Sequence, residues 1–132
     1  MNAPIMLRKE CPPGACICRR QALLDAPDAD IRVLRLTKEE EKRLIARIDE
    51  VSSLAQLQHL QARMQALLGI VVSITPSPRG VRTVRGFNIR LREQDGLCRQ
   101  TRQSIPAAIR RCLDRHPEIA HAILDAGDLL GG

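Results

Sequence analysis

The stretch from Thr37 to Gly69, TKEEEKRLIARIDEVSSLAQLQHLQARMQALLG, has the clearest pattern in the chain. A threonine, and later a serine, is followed three residues on by a glutamate or glutamine, which is the capping-box signature of a helix start. Apolar residues then recur at intervals of three and four, as on one face of a helix. The stretch therefore predicts helices over about 38–51 and 54–68, and the short joint between them predicts an antiparallel αα-hairpin.

The chain after Gly69 changes to the period of a β-strand. Residues 70–75 are rich in β-branched side chains and predict a strand, and a proline-containing turn follows at 76–80. Residues 81–92 alternate apolar with basic or polar side chains, which predicts a second strand. The two strands should pair as an antiparallel hairpin that buries one face and exposes a basic one.

Two further segments extend this pattern on either side. Residues 31–36, IRVLRL, predict a short strand, although their apolar residues do not alternate strictly. Downstream, Ser104 predicts the cap of a helix whose second position is Pro106, where proline is tolerated. A last short helix is predicted after Pro117.

These elements together predict an α+β fold. The αα-hairpin and the C-terminal helices would pack on the small antiparallel β-sheet, in a single domain that spans 31–132. Residues 1–30 contain four prolines and predict an irregular N-terminal segment that carries a cysteine loop.

The composition limits the classes of function. The chain has 132 residues, enough for one domain to form a core without disulfides. One phenylalanine and no tyrosine or tryptophan count against modules that stack nucleic-acid bases on aromatic rings. No signal peptide or membrane-length apolar run is visible, so the five cysteines predict reduced thiols. We therefore expect a cytoplasmic protein without membrane contact, and the excess of arginine over lysine favours a bacterial source.

The strongest local signal is CPPGACIC, which places Cys11, Cys16 and Cys18 within eight residues. Its prolines and glycine favour a loop that folds back on itself, so that the three sulfurs can converge on one metal. Basic side chains flank the loop, and their charge favours thiolates and offsets the charge of a thiolate-ligated centre. These flanking residues are Arg8, Lys9, Arg19 and Arg20.

A fourth ligand must come from elsewhere, because tetrahedral zinc and a [2Fe–2S] cluster each need four. We expect Cys98, since it lies in a predicted loop, whereas Cys112 falls on the apolar face of a helix and suits a core position. The spacing Cys-x4-Cys-x-Cys is one residue short of the plant-type ferredoxin loop. The surrounding sequence of ferredoxins is not present, so both a [2Fe–2S] cluster and zinc stay open as the cofactor.

Clustered cysteines also have other uses. They can form a reversible redox pair, or they can be unliganded thiols in a mobile segment. The chain shows no nucleophile elbow, phosphate-binding loop or dinucleotide fingerprint. We therefore expect a non-enzymatic metal or iron–sulfur protein with an accessory or regulatory role.

A second hypothesis rests on the distribution of charge. Residues 79–115 carry ten arginines against three carboxylates, so the positive charge is concentrated in this segment. Arginine-rich surfaces attract a phosphate backbone without any need for aromatic rings. The predicted nucleic-acid-binding residues on the hairpin are Arg82, Arg85, Arg90 and Arg92. An acidic protein would suit the same face, and the αα-hairpin could instead bind another protein as an adaptor.

Overall fold

The computed structural model describes residues 7–8, 11, 18–76 and 87–131, with side chains as far as residue 125. In this part of the chain, five α-helices and a two-stranded antiparallel sheet confirm the predicted α+β class. The elements, in chain order, are α1 (Arg20–Asp25), a 3₁₀ helix (Arg32–Arg35), α2 (Lys38–Asp49), α3 (Leu54–Leu68), β1 (Val72–Pro76), β2 (Phe87–Leu91), α4 (Arg99–Arg115) and α5 (Pro117–Gly131). None of the helices in the described ranges combines the length and the hydrophobicity that a membrane crossing requires.

The caps of α2 and α3 are those predicted from the sequence. The Thr37 hydroxyl accepts a hydrogen bond from the Glu40 backbone N–H at 3.2 Å, and the Ser53 hydroxyl accepts one from Gln56 at 3.2 Å. Each bond satisfies a backbone donor that the first turn of a helix leaves without a partner. Gly69 ends α3 with φ at +68°, a left-handed conformation that glycine adopts readily.

The longest helix, α4, lies at the centre of the packing. It packs on α2, on β2 and on α5, whereas α3 packs on the 3₁₀ helix and on α5. The buried face of α4 is aliphatic except for one cysteine and one threonine, and its fully buried residues are Ile105, Ala108, Ile109, Cys112 and Leu113. A single core therefore joins the helices to the sheet, in agreement with the low aromatic content.

The start of α4 corrects the sequence prediction. The helix begins at Arg99 and not after Ser104, so Pro106 lies inside it. Proline lacks the N–H that would bond to the carbonyl one turn earlier, which disfavours it in a helix interior. The first turns are held by packing on α2, where the hydroxyls of Thr101 and Ser104 both donate to Glu41 Oε1, at 2.5 and 3.3 Å. These contacts with α2 offset the bond that Pro106 removes.

The predicted strand at 31–36 is also wrong, since Arg32–Arg35 form a 3₁₀ helix. The Asp30 carboxylate accepts a hydrogen bond from the Arg32 backbone N–H at 3.1 Å, which bends the chain into a turn. Val33 and Leu34 are both buried although they are adjacent, and a strand would place them on opposite faces. The interrupted alternation of apolar residues was the sequence signal for this difference.

The two strands pair in the register Ile74 with Ile89 and Val72 with Leu91. On β2, Phe87 and Ile89 are buried while Arg90 is exposed, so the described half of the second predicted strand has one apolar and one basic face. The predicted turn and the first half of that strand fall in 77–86, outside the described residues. The buried face of β2 lies on α4.

Candidate metal centre

Cys98 lies at the N-cap of α4, directly after a tight turn at Asp95 and Gly96. Gly96 has φ at +88°, and a Cβ on it would overlap Leu23 Cδ1 and lie 2.6 Å from Val33 Cγ1. Glycine suits this position, because a side chain would be strained by the backbone conformation and would have to displace Leu23 and Val33. The turn therefore packs closely on Leu23 and Val33 of the core, and this packing fixes the position of Cys98.

Cys18 is fixed next to this turn. Its carbonyl accepts a hydrogen bond from the Gly96 backbone N–H, and its side chain is only 5% exposed. The next residue, Arg19, adopts the left-handed conformation with φ at 56°, which turns the chain into α1. Arg19 Nη1 also lies 3.5 Å from Asp95 Oδ1. These contacts hold Cys18 and Arg19 beside the turn that precedes Cys98.

The segment that carries Cys11 is anchored a few residues earlier. The Arg8 backbone N–H donates to the Leu34 carbonyl at 2.6 Å, and Arg20 Nε donates to the Arg8 carbonyl at 2.9 Å. The Cys11 side chain, which is partly buried, reaches the end of α4 from this anchor. Its sulfur lies 3.6 Å from Cys98 Sγ.

The sulfurs of Cys11, Cys18 and Cys98 all lie within 4.8 Å of one another. These three cysteines, which we call the thiol cluster, could hold a metal ion. Cys16, the remaining predicted ligand, lies outside the described residues. Cys112 lies apart from the cluster, since it is fully buried in the core and its thiol donates to the Val51 carbonyl at 3.6 Å.

A buried cation accompanies the thiol cluster. Arg8 is only 7% exposed, and none of its three guanidinium nitrogens has a hydrogen-bond partner among the described residues. Its positive charge acts on Cys98, where it favours the thiolate. A buried guanidinium without an acceptor is costly, because the charge has lost its hydration without gaining a partner. The site therefore carries positive charge that an anionic centre would compensate.

The Cys98 thiol is held in the neutral form by burial. Burial raises the pKa of the Cys98 thiol; Arg8 opposes this shift, and the hydrogen bond with Cys11 adds to it. Burial likewise raises the pKa of Cys112. A metal ion supplies the local positive charge that removes thiol protons, so binding to such a cluster is accompanied by proton release.

The flanking cations predicted from the sequence have different fates. Arg8 faces the thiol cluster, whereas Arg19 lies near Asp95 and Arg20 binds the carbonyl of Arg8. Lys9 lies outside the described residues. The sequence indicated that positive charge would surround the loop, but only the fold shows that a single guanidinium is buried there.

Three arginines of the basic segment make contacts within the fold. Arg102 binds the Leu97 carbonyl and Glu93, Arg110 binds the Phe87 carbonyl, and Arg115 binds the Asp49 carbonyl. Two of the predicted nucleic-acid-binding residues are described, Arg90 and Arg92, and both are exposed. The other two, Arg82 and Arg85, lie outside the described residues. Binding of a nucleic acid or of an acidic protein on this face stays a prediction.

A cleft of about 440 Å³ lies between α2 and α3. Leu44, Leu60 and Met64 contribute apolar surface to it, and Arg47 and Arg63 are among the charged residues around it. The adaptor hypothesis would place a partner protein here. No described contact identifies such a partner, and this hypothesis also stays a prediction.

Comparison of the chain with protein-family models, with curated proteins and with solved structures finds no match. The assignment of a function therefore rests on the chemistry of the thiol cluster and its surroundings.

Proposed function

We propose that the protein binds one zinc ion through Cys11, Cys18 and Cys98, with Cys16 as the fourth ligand. The bound ion would link the N-terminal segment, through its cysteine ligands, to the start of α4. The role is accessory or regulatory and non-enzymatic. The observation that carries the proposal is the approach of the three sulfurs to within 4.8 Å of one another.

The distances between the sulfurs favour a single ion. Zinc–sulfur bonds of about 2.3 Å in a tetrahedron place two sulfurs about 3.8 Å apart. The pair formed by Cys11 and Cys98 is already at 3.6 Å, and the outer limit of 4.8 Å requires a contraction of at most about 1 Å. A [2Fe–2S] cluster divides its four cysteines between two irons, so sulfurs on different irons are farther apart than two sulfurs on one ion.

The balance of charge also supports a thiolate centre. One Zn²⁺ with three thiolates has a net charge of −1, and with four thiolates −2. Arg8 would offset one of these charges from its buried position, and the centre would give its guanidinium an anionic neighbour. Outer partners of this kind tune metal affinity and orient the ligands.

The location of the cluster explains what the ion would do. It lies where the segment that contains residues 8, 11 and 18 meets the turn at Asp95 and Gly96. A metal bound here joins parts of the chain that are 87 residues apart. Because the unfolded chain lacks such a site, the free energy of binding would add to the free energy of folding.

The direct test is the metal content of protein purified without oxygen and without chelators. We expect about one zinc per chain, no acid-labile sulfide and no visible absorbance. Iron together with sulfide would overturn the assignment of zinc and establish a cluster instead. Protein that contains no metal and takes up neither zinc nor iron would overturn the metal centre altogether.

A matched pair of variants tests the ligand set. Cys18 and Cys112 are both buried, at 5% and 0% exposure, so Cys18→Ala and Cys112→Ala are similar changes in volume. Cys18→Ala should lose most of the bound zinc, while Cys112→Ala should retain it, with circular dichroism used to check that both variants fold. Loss of zinc from folded Cys112→Ala, with retention in Cys18→Ala, would contradict the proposed ligands.

A further inference from the structure

The thiol cluster contains two cysteines that are both accessible and close together. Cys11 and Cys98 are partly exposed, and their sulfurs are 3.6 Å apart. Cys18, in contrast, is 5% exposed and its backbone is bonded to Gly96. A small solute that reaches the cluster from solvent would therefore meet Cys11 and Cys98 before Cys18.

We infer that Cys11 and Cys98 form an oxidisable pair, and that peroxide converts them to a disulfide with release of the bound metal. The release of metal rests on the proposed function, whereas the disulfide does not. Metal coordination and oxidation compete for the same two sulfurs, since a sulfur in a disulfide is no longer a thiolate ligand.

The chemistry balances with hydrogen peroxide as the oxidant. The sulfur of one cysteine attacks a peroxide oxygen and breaks the O–O bond, which gives a sulfenic acid and one water. The sulfur of the second cysteine then attacks the sulfenic sulfur, the S–S bond forms and a second water leaves. Two electrons pass from the two sulfurs to one peroxide. In the metal-free protein the two thiol protons end in the water produced, whereas in the zinc-bound protein the ligands are thiolates, so two protons come from solvent and the zinc ion leaves.

The position of Cys11 and Cys98 allows the metal and the disulfide to replace each other without a change in the fold. Both the metal and the disulfide would link the Cys11 segment to the N-cap of α4, so the segment stays attached in either state. Reduction by a thiol would break the S–S bond and restore the ligands for the metal. The same cluster would thus bind the metal under reducing conditions and form the disulfide under oxidising conditions.

Tryptic digestion without reduction gives a specific readout. The sequence predicts that Cys11 lies in the peptide 10–19, Cys98 in 93–99 and Cys112 in 112–115. After treatment with one equivalent of hydrogen peroxide, we expect a linked pair of the first two peptides by mass spectrometry. The release of zinc, followed with a chromogenic chelator, should rise at the same rate as this linked pair.

Variants identify which sulfur is used, because the first peptide also contains Cys16 and Cys18. Cys16→Ser should keep the link to 93–99 and Cys11→Ser should lose it, with Cys112→Ala as the control that keeps it. A link that persists in Cys11→Ser, or oxidation of the cysteines to sulfinic acids without a link, would overturn the inference. Protein that binds no metal but still forms the link would contradict the proposed function and leave the oxidisable pair established.

Discussion

The two ends of α4 each carry a cysteine, in opposite surroundings. Cys112 lies near the C-terminal end, fully buried among aliphatic side chains, and its thiol has the Val51 carbonyl as a partner. Cys98 lies at the N-cap, partly exposed, beside two other cysteines and an arginine whose guanidinium has no hydrogen-bond partner among the described residues. The same side chain is a small core residue at one end and a candidate ligand at the other.

This difference separates a cysteine that belongs to the hydrophobic core from one that belongs to the candidate metal site. Around Cys112, the neighbours are buried apolar side chains, and the thiol donates to the Val51 carbonyl. Around Cys98, three thiols lie together beside a buried guanidinium that has no hydrogen-bond partner among the described residues. We therefore expect changes in the core to alter stability in general, and changes at the thiol cluster to act mainly through the metal.

Truncation of a core residue of α4 should have the largest effect. Ile109 is fully buried at the centre of the packing, and Ile109→Ala should lower the free energy of unfolding by about 2–5 kcal/mol. The loss should be equal with and without metal, because Ile109 is not part of the thiol cluster. Urea denaturation of the apo and zinc-loaded forms measures both values. A loss confined to the zinc-loaded form would contradict the separation of core and cluster.

A substitution of Gly96, in the turn between the core and the thiol cluster, should have the second-largest effect. Gly96→Ala forces a side chain into a left-handed conformation and against Leu23 and Val33, so we expect a loss of about 2–4 kcal/mol. Since Gly96 also holds Cys18 beside Cys98, the affinity for zinc should fall as well. Denaturation together with a zinc titration tests this. Unchanged zinc affinity in the destabilised variant would show that the turn does not position the sulfurs.

Removal of the buried Arg8 charge should weaken zinc binding but should not destabilise the metal-free protein. Arg8→Met keeps most of the packing but leaves the thiolate centre without its compensating charge, so zinc affinity should fall about tenfold, or about 1.4 kcal/mol. The apo form should be as stable as the parent or more so, because the guanidinium without an acceptor is gone.

The control for Arg8→Met is Arg19→Met, which removes the same charge from an exposed side chain. It should change zinc affinity by less than about twofold, since exposed charges are screened. Equal losses of affinity in the two variants would mean that net charge, and not the buried guanidinium, supports the centre.

The smallest effect concerns the ion pair that precedes the 3₁₀ helix. Hydrogen bonds from Arg32 hold the pKa of Asp30 at about 2, below its ordinary value of 3.8. A carboxylate with a lowered pKa stabilises the fold above the unfolded value, and the stabilisation is lost as pH falls toward about 2. Because Asp30 is about half exposed, Asp30→Asn should cost only roughly 0.5 kcal/mol at pH 7. Thermal unfolding from pH 7 to pH 2 should show the difference between variant and parent shrinking below pH 4, and a constant difference would contradict this role.

The sequence predicted the elements whose signals are local. The caps at Thr37 and Ser53 and the apolar spacing behind them place α2 and α3 within two residues of their observed bounds. The same kind of reasoning was wrong at Ser104, because α4 begins earlier and its first turn bonds to Glu41. A contact between segments that are distant in sequence produces no periodic pattern in either of them. At 31–36 a side-chain bond from Asp30 outweighed the strand propensity of the apolar residues.

The candidate site was predicted in part for the same reason. The spacing of Cys11, Cys16 and Cys18 is visible in the sequence, and the choice of Cys98 over Cys112 followed from the apolar face of a helix. The approach of Cys98 to the other two sulfurs, and the burial of Arg8 beside them, depend on the tertiary packing of the turn at Gly96. No pattern within a single segment encodes those contacts.

X-ray absorption at the zinc edge of the zinc-loaded protein would identify the ligands of the ion, because it counts the sulfurs bound to zinc and measures their distances. We expect three or four sulfur ligands at about 2.3 Å, with the sulfur signal reduced in Cys98→Ser and unchanged in Cys112→Ala. A first shell made mainly of nitrogen and oxygen at about 2.0–2.1 Å, insensitive to Cys98→Ser, would contradict it.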